Sequence, residues 1–397
     1  MKIQTLDAFI EIMRATIPVR RKMVVDYLLE GRTDPELIRH LKRFLNTIGE
    51  VPDQEGLKLF NLFGDHTARV DVTYETEELK KDIWFFENGE QVFTEHMESI
   101  NHNFFREVDR GISFLSGLEF NSFISDRDGT VNNYCGRYST SVQSAYNAIY
   151  LARFAAGKTR NTVILTSAPL GNGGLQDISV FPEKVFHYAG SKGREYADKK
   201  GREGKFPVDD EKQKVLDALN KDLAKLVGME KYKIFSRIGS GLQLKFGQTT
   251  IARQDIHKSV PEDRSLGFLK KIRSMVADHD PEDVYFRIED TGLDIEIILT
   301  IDKGDEGVKD FDKGDGIDFL DSALDLRLDE GINLICGDTA SDIPMVEAAM
   351  KKNGETRAIF VTKNSDIQRK VGKLCPHSMF VENPDVLVSL LNQISLI

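Results

Sequence analysis

Phe120-Asn121-Ser122-Phe123-Ile124-Ser125-Asp126-Arg127-Asp128-Gly129-Thr130 is a stretch in which an apolar run breaks off into a polar loop. Phe123-Ile124 reads as a buried strand, and the Asp-Gly pair after it marks the loop at its C-terminal end. Downstream, Tyr146 to Ala156 has the pattern of a helix, and Thr162-Val163-Ile164-Leu165-Thr166 that of a second buried strand. The same rhythm returns near the end of the chain. Ile332 to Cys336, Ala358 to Val361 and Met379 to Val381 are strand-like, with helical stretches at Ile343 to Lys351 and Asp385 to Gln393. Strands alternating with helices in this way predict an α/β fold, a doubly wound and mostly parallel sheet with helices on both faces.

Two segments do not follow that rhythm. Residues 1–115 carry apolar residues at helical spacing (Leu6, Phe9, Ile10, Met13 and Ile17, then Leu37, Leu41, Phe44 and Ile48), which predicts an N-terminal all-helical domain. Pro18 is expected to start a second helix, and Thr33-Asp34-Pro35 a third. Between residues 171 and 309, strands are expected at Lys233 to Arg237, Gly241 to Phe246, Thr249 to Arg253, Val284 to Ile288 and Asp294 to Ile301. Helices are expected at Asp210 to Leu226 and Leu266 to Ala277. This mixture predicts an α+β cap domain inserted into the core, with the glycine-containing stretch Gly304 to Asp310 leading back. The core itself is then residues 116–170 and 310–397.

At 397 residues the chain is long enough for two or three domains, and 40% hydrophobic with 29% charged residues is the composition of a soluble globular protein. A net charge of −11 argues against nucleic acid or an anionic membrane as the main partner. The Met1 start lacks the charged-then-apolar pattern of a secretory leader, and no apolar run has the length of a membrane span. Three widely spaced cysteines, Cys135, Cys336 and Cys375, form no CxxC pair, so reduced thiols in a cytoplasmic setting are expected.

Four features fall in order along the core. Asp126 to Thr130 follows the first strand, Thr166-Ser167 ends the second, Lys313-Gly314 opens a helix after the insertion, and Gly337-Asp338-Thr339-Ala340-Ser341-Asp342 follows the next strand. Strand C-terminal ends in an open parallel sheet meet in one crevice, so four loops can build one site. A carboxylate placed like Asp126 can attack phosphorus and form an aspartyl-phosphate. Asp128 can protonate the leaving oxygen and later activate water. Mg²⁺ takes hard oxygen ligands, for which Asp126, the Asp128 carbonyl and Asp338 are suited, with Asp342 holding a metal-bound water or orienting Lys313. Ser167 and Lys313 would donate to the phosphoryl oxygens. Each feature alone is weak, because Asp-Gly turns and helix caps are common. The ordered set is what carries the reading.

This set resembles the haloacid dehalogenase superfamily of phosphohydrolases over roughly residues 118–397. The resemblance implies Asp126 as nucleophile and Asp128 as general acid/base, with Ser167 (or Thr166), Lys313 and the Asp338/Asp342 pair as the second, third and fourth motifs. A narrower resemblance is to trehalose-6-phosphate phosphatases that carry a helical domain ahead of the core. It rests on Asp126 to Tyr138, Tyr188 to Glu195, Gly241 to Gly247, Thr250 to Asp255 and Phe311 to Asp318. Ser167-Ala168-Pro169 departs from the Ser-Gly-Arg of many relatives, and the fourth motif lacks a paired Asp-Asp. The resemblance implies a Mg²⁺-dependent phosphatase acting on trehalose 6-phosphate; another sugar or glycosyl phosphate is the close alternative, and a non-catalytic scaffold the distant one. A disaccharide needs carboxylates, amides and cations to read its hydroxyls. Lys192, Gln243, Lys245, Arg253, Glu289 and Glu296 are the candidates in the cap, each of which could equally be a surface residue or a structural ion pair. The helical domain is expected to be a structural extension, or else a docking or oligomerisation surface.

Overall fold

The computed structural model describes residues 3–63, 66–302 and 308–397. At the N-terminus, α1 (Leu6–Glu30) and α2 (Pro35–Gly49) are capped by Thr5 and Asp34. Pro18 lies inside α1 and does not begin a new helix. Proline forfeits one hydrogen bond there, but Ile17, Arg20, Met23 and Val24 are buried on either side of it, and their packing carries the helix through.

Next come β1 (Asp53–Gln54), β2 (Leu57–Phe63) and β3 (His66–Val70), an antiparallel meander that the helical reading did not contain. Its first hairpin turns at Glu55-Gly56, both with positive φ (55° and 82°), the pair of left-handed residues that a tight two-residue hairpin requires. The meander buries Phe60, Ala68 and Val70. Helices α3 (Thr73–Ile100), broken at Gly89, and α4 (Phe104–Leu115) complete the domain.

The core begins with β4 (Phe120–Ser125), buried at every position, followed by α5 (Ala145–Lys158), β5 (Thr159–Leu165) and the short α6 (Leu175–Ile178). Strands β6 (His187–Gly190), β7 (Glu195–Ala197) and β8 (Glu203–Lys205) then extend the same sheet. The expected break at residue 170 therefore falls too early, since these strands hydrogen-bond to the core sheet. They are three or four residues long and lie in a Gly- and Lys-rich run that carries almost no strand signal.

The insertion proper holds α7 (Asp210–Gly228), β9 (Leu242–Lys245), β10 (Gln248–Ala252), α8 (Glu262–His279), β11 (Phe286–Asp290) and β12 (Asp294–Leu299), its sheet ordered β11-β12-β10-β9. Residues Lys233 to Arg237 are not a strand: Glu230–Ser236 is a 3₁₀ turn. Ile234 and Phe235 are both buried, and Phe235 stacks on Phe268 of α8 with ring centroids 3.7 Å apart, an arrangement that alternating strand geometry would not give two neighbours. A ribbon of β13 (Ile301–Asp302) and β14 (Val308–Lys309) leads back to the core. Gly304, Asp305 and Gly307 of the expected return lie outside the described residues.

The chain closes with α9 (Lys313–Leu324), β15 (Asn333–Gly337), α10 (Ile343–Lys352), β16 (Arg357–Val361), α11 (Ser365–Leu374), β17 (Ser378–Val381) and α12 (Pro384–Ser395). The core sheet runs β17-β16-β15-β4-β5-β6-β7-β8, parallel from β17 to β6. Side chains alternate between its two faces. Phe123, Ile164 and Leu334 pack with α5, α12 and the N-terminal helices; Ile124, Val163 and Ile335 pack with α9, α10 and α11. The first core strand, β4, lies between β15 and β5, so strand order reverses there and a crevice opens at its C-terminal end.

Candidate active site

Asp126 is the first residue past β4, its amide anchored to the Cys336 carbonyl of β15 at 3.0 Å. Asp312 caps α9 by accepting from the Gly314 and Asp315 amides, which fixes Lys313 as the first helical residue and aims it at the strand ends. The Lys313 ammonium lies 2.5 Å from Asp126 Oδ1 and 2.6 Å from Asp342 Oδ1. Asp342 Oδ2 accepts from the Asp338 amide (3.0 Å), the Thr339 amide (2.9 Å) and the Thr339 hydroxyl (3.1 Å). The whole loop after β15 is thus folded around Asp342. Thr130 Oγ1 stands between Asp126 Oδ2 (3.3 Å) and Asp338 Oδ1 (3.2 Å).

Gly129, at φ +89°, lies against this group. A Cβ there would come within 2.2 Å of Asp338 Oδ2, so both backbone conformation and space require glycine. Asp128 is held apart: its carboxylate binds the buried Arg127 guanidinium and accepts from Ser141 Oγ at 3.0 Å. One face of Asp128 remains on the cleft.

Two buried carboxylates, Asp126 and Asp342, share one ammonium, and the partly buried Asp338 stands beside them. Burial pushes the Asp126 carboxyl up to about 7, against the pull of Lys313. Burial, then the charges of Asp126 and Asp342, push Asp338 up to about 9. Burial also works against ionised Asp342, but Lys313 and the loop amides overcome it and hold this group below its ordinary value. Burial likewise opposes the charge on Lys313, and Asp126 and Asp342 more than offset it. Asp126, Asp338 and Asp342 each offer an oxygen within 4.8 Å of the others. A largely buried set of hard oxygens with more negative charge than its single lysine balances is the donor chemistry that suits a divalent cation.

Above them is a cleft of about 290 Å³. Asp126, Asp128, Thr166, Ser167, Lys313 and Asp338 line its floor, and Gln243, Lys245 and Glu296 line it from the cap sheet. Lys245 donates to Thr250 Oγ1 at 2.8 Å, and burial lowers its pKa to about 8. Lys192 is not among the lining residues but flanks them, close enough for its charge to bear on Lys245.

Arg253 and Glu289, also expected to meet substrate, do not line the cleft. Arg253 follows Ile251 in alternation, so it faces away with it, pairing with Asp290 (2.7 Å) and donating to Ser265 of α8 (2.7 Å). Glu289 is opposite Glu296 in register but on the outermost strand, where it pairs with Arg287 at 2.8 Å. Among lining residues not singled out from the sequence, Thr250 and Asp294 had a signal: Thr250 pairs with both Gln243 and Glu296, and Asp294 shares the parity of Glu296. Tyr134, Tyr138 and Ser341 had none that periodicity could supply. A neighbouring cavity of about 490 Å³ between α3, the core and the cap shares Tyr134, Gly136, Gly239, Asp255 and Ile256 with this cleft.

Comparison with known proteins bears on both halves of the chain. Residues 123–387 match the family described as trehalose-6-phosphate phosphatase, C-terminal, and residues 5–104 match the trehalose-6-phosphate phosphatase N-terminal helical bundle domain. The trehalose-phosphatase of Caenorhabditis briggsae is 28% identical over 98% of this chain and 97% of its own. An alpha,alpha-trehalose-phosphate synthase [UDP-forming] 2 of Caenorhabditis elegans is 30% identical over 99% of this chain; the chain spans about a third of the length of such synthases. Among solved structures, the C-terminal domain of C. albicans trehalose-6-phosphate phosphatase aligns at 13% identity and a TM-score of 0.45, covering 73% of this chain and 97% of that one. With family matches spanning the helical domain and the catalytic core, the chain belongs to the trehalose-6-phosphate phosphatase family.

Proposed function

We propose that the chain hydrolyses phosphate monoesters through an aspartyl-phosphate on Asp126, with trehalose 6-phosphate as its substrate. The observation that carries this reading is the seating of Asp126 at the end of β4, on the cleft floor, with Lys313 on one carboxylate oxygen and the polar face of the cap sheet opposite. An Asp126 oxygen attacks phosphorus and the ester P–O bond breaks, while Asp128 gives its proton to the leaving sugar oxygen. Asp128, now ionised, takes a proton from water as that water attacks the phosphoryl group, which restores Asp126 and frees inorganic phosphate. Lys313 and Ser167 offset the charge on the phosphoryl oxygens. Asp126, the Asp128 carbonyl and Asp338, with Asp342 behind them, would hold Mg²⁺, which when bound supplies further positive charge there.

Gln243, Lys245 and Glu296, facing the core from the cap, are the groups we assign to sugar recognition. Phosphate release from a panel of sugar phosphates, with and without Mg²⁺, tests the proposal. Trehalose 6-phosphate should be turned over best and the rate should collapse without the ion; preference for a monosaccharide phosphate would overturn the substrate assignment in favour of another sugar phosphate.

The three cysteines are buried and unbridged, which supports a reducing, cytoplasmic setting. Among the described residues, no helix is long and apolar enough to cross a membrane. Leu29, Trp84, Val92 and Phe105 are exposed on the N-terminal helices and are the apolar groups on which self-association or docking would draw. Sedimentation of the full chain across concentrations tests this, and a constant monomer mass would reject self-association.

A further inference from the structure

Tyr138 begins the short 3₁₀ turn Tyr138–Thr140, and its side chain lines the cleft with Asp126, Asp128 and Ser167. Its hydroxyl oxygen is buried and has no hydrogen-bond partner among the described residues. Native proteins rarely leave a buried hydroxyl unpaired, and one carried by a residue that lines a cleft is a group open to a ligand. The residues around it are fixed. Glu75 of α3 accepts from Thr140 Oγ1 at 2.5 Å and from Arg137 Nη1 at 3.2 Å, and Ser141 is tied to Asp128 and Arg127. The turn that carries Tyr138 is therefore fixed while its hydroxyl is left over.

Burial, reinforced by the negative charge of Asp128, keeps the phenol protonated, so it can act as a donor. Ser141, three residues on, donates to Asp128 Oδ1 at 3.0 Å, so the turn that carries Tyr138 stands on the side of the acid/base carboxylate. In the mechanism above, that is the side from which the alcohol departs.

We propose that the Tyr138 hydroxyl donates a hydrogen bond to a sugar hydroxyl of the substrate, on the leaving-group side of the scissile bond, and so selects a polyhydroxylated alcohol over other phosphate esters. This rests on the phosphatase reading and adds a specificity residue to it.

Tyr138→Phe removes the oxygen alone and leaves the ring to pack. The experiment compares kcat/KM of the two proteins on p-nitrophenyl phosphate, whose leaving group has no sugar hydroxyl, and on the sugar phosphate that the wild type turns over best. The variant should lose about tenfold on the sugar phosphate, the worth of one well-placed hydrogen bond, with the aryl ester little changed and thermal stability kept. Equal losses on both esters, or no loss on the sugar phosphate, would overturn the proposal. Hydrolysis that survives Asp126→Asn would instead show that the phosphatase reading beneath it is wrong, and would remove the proposal with it.

Discussion

At the scale of single residues, the site is set by what cannot be changed. Gly129→Ala would bring a methyl group to within 2.2 Å of Asp338 Oδ2 at a φ of +89°. The substitution should cost about 2 kcal/mol or more in urea denaturation and cut phosphate release, because Asp338 must move to make room. Asp338 offers a second, independent measurement. Its burial and its neighbours' charges push its pKa up to about 9, so a bound cation that favours the ionised form should stabilise the fold. Mg²⁺ should raise the melting temperature of the wild type and leave Asp338→Asn unmoved; equal shifts in both would remove Asp338 from the proposed metal set. Asp126, Asp128, Lys313 and Asp338 were legible in the sequence because each is next to a strong strand or helix signal. Thr130, which bridges Asp126 and Asp338, was visible only as a member of the motif, since its role depends on how two loops far apart in sequence meet.

The next scale is that of the elements. The cap sheet divides its residues by parity: Ile251, Ile295 and Ile297 face α7 and α8, while Gln243, Lys245, Thr250 and Glu296 face the cleft. Lys245 is charged below its lowered pKa of about 8 and neutral above it. If it attracts an anionic substrate, kcat/KM should fall as pH rises through about 8. Lys245→Met should lower kcat/KM about tenfold at neutral pH and abolish that limb of the profile; an unchanged profile would assign Lys245 a packing role. Alternation along Asp294 to Ile297 separates a polar face from an apolar one without saying which of them meets the cleft, and the same rule applied to Ile251 and Arg253 turns Arg253 outward. Glu289 has the right parity and the wrong strand, a distinction that requires the sheet order. Strands β6 to β8 escaped notice because elements of three or four residues have no period to detect. Glu75 is the clearest link between elements, reaching from α3 to the loop that follows the first motif. Glu75→Ala leaves the buried Arg137 without its carboxylate and should cost about 3 kcal/mol, read by thermal or urea unfolding.

Over the whole molecule, the N-terminal domain is part of the core's packing. Phe9, Met13, Phe85 and Phe93 share one apolar cluster with Tyr146, Ile149, Leu387 and Leu391. Asp82 of α3 accepts from the Ala145 and Tyr146 amides at the start of α5, and pairs with the fully buried Arg20 at 2.6 Å. The domain also reaches the cap, where Asp7 pairs with Lys233 (2.8 Å) and Arg237 (2.6 Å). Removing residues 1–115 should therefore expose the α5 and α12 face and give an aggregating or unfolded product, not a free catalytic domain; a soluble, cooperatively melting truncation would contradict this. Helical periodicity revealed that the domain exists, but not that its apolar face is used on the core, because which surface covers which is a tertiary property. The claim that joins all three scales is that phosphate passes through Asp126. Acid-quenching the enzyme during turnover of trehalose 6-phosphate and mapping its peptides by mass spectrometry tests it most directly. The account predicts one added phosphoryl group on the peptide that carries Asp126, absent in Asp126→Asn, which should release no phosphate. Turnover by that variant, with no phosphorylated peptide in the wild type, would contradict it.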